Sequence, residues 1–281
     1  MSLDPVPREE PGLLTVLAIA ICLVVAFVTI ALLARKWELP GVPVAVATGS
    51  TGLVCALLVW AFGSALPSLV AGVGTFALTL AVSTLLGLWR FYRDPERSPP
   101  GRDDLIVSPA DGRVVYIRTA EKGELPQSTK SGRAYTVEEL TKTSLQEESV
   151  VVIGIALSFL DVHVNRAPIA GTIAEATRFP GRFASLKRPE AVFENERTTI
   201  VVRAEDREVA LVLIASRLVR RIVTYVRQGQ HVELGQRVGA IRFGSQADVI
   251  FPVDPSVRLE VGVGDRVRAG ESVLARWESA D

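Results

Sequence analysis

"RFYRDPERSPPGRDD", residues 90–104, is where the chain changes character. On its N-terminal side, Gly12 to Ala34 and Leu39 to Trp89 contain no charged residue, whereas about 20 apolar residues suffice for one membrane-spanning helix. Three spans fit, near 12–34, 41–62 and 67–89, with "GSALPS" (Gly63 to Ser68) as the turn between the second and third. A second and third span exclude a simple cleaved signal peptide, and a buried helical hairpin is a poor match to such long uncharged runs. On its C-terminal side, short alternating apolar runs separated by glycine turns read as β-structure. The quoted stretch, charged and proline-rich, reads as a juxtamembrane linker. The domain reading is a membrane anchor over 1–89, a linker over 90–104 and a β-rich domain over 105–281.

Basic residues flank the spans on one side. Arg35 and Lys36 follow the first, and Arg90, Arg93 and Arg97 follow the third, while the N-terminal tail is mainly acidic (Asp4, Glu9, Glu10). Cytoplasmic flanks are enriched in Lys and Arg, so with three spans the N-terminus lies outside and everything after Arg90 lies in the cytoplasm. With two spans the N-terminus moves inside. Beyond residue 89 the chain carries 28 basic and 27 acidic residues, which is no nucleic-acid footprint. Both cysteines, Cys22 and Cys55, fall within spans, where they read as small apolar packers, and neither cysteine chemistry nor a metal centre is expected.

Candidate strands in the C-terminal part are 105–107, 112–119, 149–156, 172–176, 198–204, 208–215, 221–226, 237–241, 247–251 and 272–277. Helix is scarce there. The polar segment 121–148 reads as loop, with a short helix around "TVEELTKT". Two similar glycine-turn phrases, "RQGQHVELGQRVGAI" and "GVGDRVRAGESVLA", together with "SPADGRVVYI", resemble the barrel-sandwich fold of biotinyl and lipoyl carriers and of membrane-fusion adaptors. The fold class is therefore transmembrane helices followed by a mainly β domain of barrel-sandwich-like sheets. A carrier needs a lysine at the hairpin tip, which is missing here, and an adaptor places its β-domain outside the cytoplasm.

Only two histidines occur. His231, between Gln230 and Val232, reads as a solvent-exposed turn residue. His163 lies in "LSFLDVHVNRAPIAG", where an apolar stretch ends among Asp161, Asn165 and Arg166, and a structural and a catalytic histidine fit that pattern equally well. In "AIRFGSQADVIF", residues 240–251, Gly244-Ser245 interrupts a strand pattern, which by itself marks a bulge or a close backbone approach.

Five motifs in order, "FYRDPERSPP", "SPADGRV", "LSFLDVHVNRAPIAGTI", "NERT" and "GAIRFGSQADV", are similar to those of the phosphatidylserine decarboxylase family, in its shorter prokaryotic branch. The likeness runs from about Arg90 to the C-terminus. It implies a proenzyme that cuts itself between Gly244 and Ser245, with Ser245 becoming a covalent pyruvoyl cofactor at the start of the smaller chain. Serine suits this because its oxygen is both nucleophile and leaving group, and glycine leaves its carbonyl unshielded. By the same likeness, His163 is the base and Asp111 the group that orients it, although Pro-Ala-Asp-Gly is also a good turn sequence. The pyruvoyl carbonyl then forms a Schiff base with the serine headgroup and accepts the electrons released with carbon dioxide, yielding the ethanolamine lipid. His163 is also the candidate for returning the proton.

Longer members of the family carry a second histidine where this chain has Arg166. Arg166 and Asn165 are candidates for binding substrate, and a salt bridge from Arg166 to Asp161 is the structural alternative. The implied partners are a membrane phospholipid, ester- or ether-linked, and the chain's own two cleavage products, which stay associated. The membrane is that of a prokaryotic cell, with the catalytic domain on the cytoplasmic face. Exposed sheet edges favour self-association. The rival readings are a family member without activity and a non-catalytic membrane adaptor.

Overall fold

The computed structural model describes residues 12–36, 39, 41–62, 66–121, 124–125, 135–143, 145, 149–186, 188, 191–205, 207–216, 222–241 and 245–278. The chain divides into two units, residues 1–90 and 91–281.

In the first unit, α1 (Leu13–Lys36), α2 (Gly41–Phe62) and α3 (Ser68–Tyr92) are each long and apolar enough to cross a membrane. The last two residues of α3 fall in the second unit. The three helices lie within three residues of the expected ends of the three spans, and the "GSALPS" turn lies partly outside the described residues. Large apolar side chains such as Leu13, Val46 and Phe62 are exposed, a surface that lipid rather than water would cover. Polar side chains on the helices turn back on their own backbone: Thr29, Ser50 and Thr75 each donate to the carbonyl four residues earlier, which satisfies the hydroxyl without water.

The second unit is mostly strand. Its elements are β1 (Leu105–Val107), β2 (Gly112–Ala120), β3 (Glu124–Leu125), β4 (Tyr135–Thr136), α4 (Val137–Thr141), β5 (Val150–Leu157), β6 (Val164–Arg166), β7 (Gly171–Phe179), α5 (Ala191–Glu194), β8 (Arg197–Ala204), β9 (Arg207–Ile214), β10 (Ile222–Thr224), β11 (His231–Val232), β12 (Arg237–Ile241), β13 (Ser245–Pro252), β14 (Val257–Leu259), β15 (Arg266–Val267) and β16 (Val273–Trp277). An eight-stranded antiparallel sheet in the order β11-β7-β8-β9-β13-β5-β2-β15 is joined by two three-stranded sheets, β10-β12-β6 and β1-β16-β14. The barrel-sandwich expectation thus holds in kind, with one curled antiparallel sheet dominating. Thr136 caps α4 through a reciprocal capping box with Glu139, where "TVEELTKT" predicts a short helix.

The central strands are apolar on both faces because both faces are covered. In β5, Ile153, Ile155 and Leu157 join one core while Val150 and Val152 join a second core with Leu140, Val212 and Ile250. Strand β13 alternates in the same way, with Ala247, Val249 and Phe251 in the first core and Ile250 in the second. Full burial of side chains of this size contributes about 1.5–3 kcal/mol each.

Residues 91–99 form no free linker, contrary to the sequence reading. They belong to the second unit and are held in it by charge. Asp94 pairs with Arg237 (2.6 Å) and lies 3.5 Å from Arg166, and Glu96 pairs with Arg237 (2.8 Å). Arg97 pairs with Asp111 (2.8 Å) and Glu271 (3.0 Å). Pro99 packs on Gly235, whose φ of +70° favours glycine and where a Cβ would come within 2.4 Å of the proline ring.

Candidate active site

The site is built where the chain changes sheets twice. Strand β5 belongs to the eight-stranded sheet and β6 to a three-stranded one, and residues 158–163 connect them. Strand β12 pairs with β6, β13 pairs with β5, and residues 242–244 connect those. The two crossovers therefore join the same two pairs of neighbouring strands. At their ends the pairing is explicit: the Ile241 amide donates to the carbonyl of His163 (3.0 Å), and Ser245 stands opposite Leu157. Gly244 lies outside the described residues, and Ser245 is the first residue of β13.

The first crossover is pinned by Asp161, whose carboxylate accepts from the Ser158 amide (2.7 Å) while its own amide donates back to the Ser158 carbonyl (3.0 Å). Its partner is this turn, with Arg266 at 3.9 Å, and not Arg166. His163 follows, 3% exposed, its ring 4.2 Å from that of Phe91, which in turn stacks on Phe159 at 5.4 Å. Among the described residues neither ring nitrogen has a hydrogen-bond partner. Burial lowers the pKa of His163 to about 4, and Arg93 adds to this, while the Asp161 main chain and carboxylate oppose it too weakly to restore the ordinary value. The imidazole is therefore neutral at pH 7.

Asp111 sits beside this strand but not on the imidazole. The turn that carries it docks against β6, because the Arg166 amide donates to Pro109 O (2.9 Å) and Asn165 Nδ2 reaches the same oxygen at 3.4 Å. The Asp111 carboxylate itself accepts two bonds from Arg97 (3.0 and 2.8 Å) and one from the Ala269 amide (2.8 Å). The arrangement in which Asp111 orients His163 is thus not the one adopted, since the stronger cation holds the carboxylate.

Arg166 is likewise occupied. Buried at 4% exposure, it donates to Gly235 O (2.9 Å) and Pro95 O (3.0 Å) and faces Asp94. Its guanidinium ties the 91–99 segment to β6 and to Gly235. Asn165 is fully buried with its Oδ1 unpartnered among the described residues. His231 is exposed as expected, although it lies in strand β11, paired with Thr172, and not in a turn.

The "NERT" stretch also proves structural. Arg197, 1% exposed, donates to Glu139 O, Leu140 O and Asn195 O and so caps the end of α4. Burial lowers its pKa to about 10, which leaves it cationic. Asn195 pins the 184 loop through Ala184 N and O, both at 2.9 Å.

Sequence reasoning missed one group near Ser245. Asp248, fully buried on β13, accepts from Tyr116 Oη (2.7 Å) and from Gln246 Nε2 (2.7 Å). The signal was present, since an aspartate in the apolar run "ADVIF" at a covered strand position demands partners.

The model of the family described as phosphatidylserine decarboxylase matches residues 87–275, which takes in both crossovers. The chain belongs to the phosphatidylserine decarboxylase family. A phosphatidylserine decarboxylase proenzyme of Pelobacter propionicus is 37% identical over 202 residues, 72% of this chain and 81% of that one. One of Azorhizobium caulinodans is 36% identical over 208 residues, 74% and 81% of the two chains. A Methanothermobacter thermautotrophicus protein, provisionally named an archaetidylserine decarboxylase proenzyme, is 35% identical over 205 residues, 73% and 87%. The matched segment begins before Phe91, so the phosphatidylserine decarboxylase family includes the charged strap as well as the β-domain.

Proposed function

We propose that this chain is a membrane-anchored proenzyme that cuts itself between Gly244 and Ser245 and then decarboxylates a serine phospholipid. The observation that carries this reading is the buried, neutral imidazole of His163, between strands β5 and β6, whose sheet neighbours β13 and β12 flank Gly244-Ser245 in the chain. In the cut, the Ser245 hydroxyl attacks the Gly244 carbonyl and the amide becomes an ester. Loss of the Ser245 α-proton then expels the Gly244 carboxylate and leaves dehydroalanine, which water converts to a pyruvoyl group and ammonia. His163 is the base that takes the hydroxyl proton, and it can do so because burial keeps it unprotonated.

The chain's residues suit the group so formed. Strand β13 is central and paired on both sides from Gln246 onward, so most of its ladder remains when the bond is severed. Once present, the pyruvoyl carbonyl supplies an electron sink for the bond to the departing carboxylate. His163 holds the proton returned to the substrate carbon. Phe91 and Phe159 keep water from the imidazole, which preserves its neutral state.

The relatives carry both phosphatidylserine and archaetidylserine names at nearly equal identity, which favours recognition of the shared serine headgroup over the tails. The basic flanks Arg35, Lys36, Arg90 and Arg93 favour a cytoplasmic β-domain in a prokaryotic cell membrane. Protease added outside intact cells then leaves that domain whole, and cutting it would reverse the assignment. The deciding experiment is the intact mass of the denatured full chain beside Ser245→Ala. The expected products are a chain ending at Gly244 and a chain of about 37 residues bearing a ketone, with the variant whole. A single 30.3 kDa chain after prolonged incubation in lipid would refute the reading.

A further inference from the structure

Tyr116, Gly154 and Asp248 stand in one row across three neighbouring strands, because Tyr116 pairs with Gly154 from β2 and Asp248 pairs with Gly154 from β13. Two strand spacings, about 10 Å, separate the outer pair, which is too far for a contact unless a long side chain crosses the middle strand. Gly154 permits that crossing. A Cβ there would lie 2.4 Å from the tyrosine ring, so the ring occupies the space a side chain would fill. The Tyr116 hydroxyl thereby reaches Asp248 Oδ2 at 2.7 Å, and Gln246 Nε2 donates to both Asp248 Oδ1 (2.7 Å) and Tyr116 Oη (2.8 Å). The Arg118 guanidinium covers the ring 4.4 Å away.

Before any cut, the start of β13 is held both by its ladder to β5 and β9 and by its covalent link to the preceding residue. After a cut at Ser245, which this inference takes from the reading above, Gln246 is the second residue of a new chain. A fresh strand end frays, because its first bonds lose the covalent neighbour that held them in register. We propose that Tyr116 is a positioning residue that clamps the new chain end through Asp248 and Gln246, so that the pyruvoyl group stays in place after processing. The clamp sits on the large chain and grips the small one. Its polar atoms satisfy one another in a buried site, which makes the three-way geometry specific. Burial raises the Asp248 pKa to about 6 against the pull of Tyr116, Gln246, Arg197 and Arg118. Burial and Asp248 push the Tyr116 phenol well above its ordinary value, so that it remains the donor.

The test uses full-length chains in detergent–lipid micelles: wild type, Tyr116→Phe, and each again with Ser245→Ala. Amide exchange is followed over residues 246–248, and kcat and KM are measured for a serine phospholipid. In Tyr116→Phe, cutting proceeds within about threefold of wild type, kcat falls up to about tenfold with KM nearly unchanged, and exchange in the cut enzyme speeds up by a similar factor, the scale of one lost hydrogen bond. In the uncut Ser245→Ala pair, the tyrosine change leaves exchange nearly unaltered. Gln246→Met gives the same pattern at smaller amplitude and serves if Tyr116→Phe does not fold. Unchanged kcat and exchange in the cut variant, or equal loosening in cut and uncut chains, would overturn the clamp while the decarboxylase reading stands. An uncut wild type overturns both.

Discussion

Removing Arg97 should strand a buried carboxylate, and the cost can be worked from the structure. Arg97 and Asp111 side chains are 9% and 11% exposed, joined by two hydrogen bonds from one guanidinium nitrogen, with Glu271 on the other. In Arg97→Met the Asp111 carboxylate keeps only the Ala269 amide. Breaking a pair this buried by taking away one partner costs about 3–5 kcal/mol, because the remaining charge is left in a poor solvent. Asp111→Asn removes the charge but keeps the shape, and Arg97 retains Glu271, so that change costs less, about 1–2 kcal/mol. The double variant is a neutral pair of similar volume and recovers about 1–3 kcal/mol of the summed loss.

The assay is urea unfolding in micelles of chains carrying Ser245→Ala, so that processing does not intervene. Trp277 reports on β16 once Trp37, Trp60 and Trp89 are changed to Phe. With a slope of about 2 kcal/mol per M, Arg97→Met moves the midpoint down by about 1.5–2.5 M. A shift under about 0.5 M, or a double variant equal to the sum of the singles, would show that the strap carries no buried charge coupling.

Three further outcomes follow from the geometry. His163 is neutral in the fold down to pH about 4 against an ordinary value of 6.5, so cutting holds its rate from pH 8 to about 5 and falls only toward 4, and a midpoint near 6.5 would refute the burial argument. The same shift lowers folding stability as pH drops from 6.5 toward 4, on the order of 3 kcal/mol, because the unfolded chain takes a proton that the folded one refuses; His163→Phe removes this slope in pH-dependent melting of the Ser245→Ala chain. Gly154→Ala drives a methyl into the Tyr116 ring and costs about 1–3 kcal/mol in urea unfolding, and adding Tyr116→Ala recovers part of that loss.

How much of this was legible depended on distance along the chain. The spans could be read because an uncharged run is a local property, and the main strands because alternation is local too. Strand β6 could not, since "VNR" is too short and polar to show a period, and it forms because β12 offers it a ladder. The segment 91–99 was misread for the same reason. Proline and charge make a solvated linker, and they equally make a strap whose partners lie far off: Arg237 is 143 residues from Asp94, and no local window contains both. Asp111 and His163 are candidates by resemblance alone, and the carboxylate's partner, Arg97, is in plain view only as one more charge in the expected linker.

The strap and the site share strands, and this bears on why the anchor and the chemistry occupy one chain. Arg237 begins β12, the strand that leads into residues 242–244, and Arg166 ends β6, the strand that His163 leads into. Both arginines are held by Asp94, and Arg97 holds Asp111 on the turn docked to β6. Among the described residues the ring nitrogens of buried His163 have no hydrogen-bond partner, so its placement comes largely from the backbone and rings around it. The ion pairs around it help to fix that backbone: Arg166 and the Arg97–Asp111 pair are buried, where each charge must keep its partner, while Arg237 and Asp94 are half-buried. The charges of the 91–99 segment thus help to fix the backbone around His163.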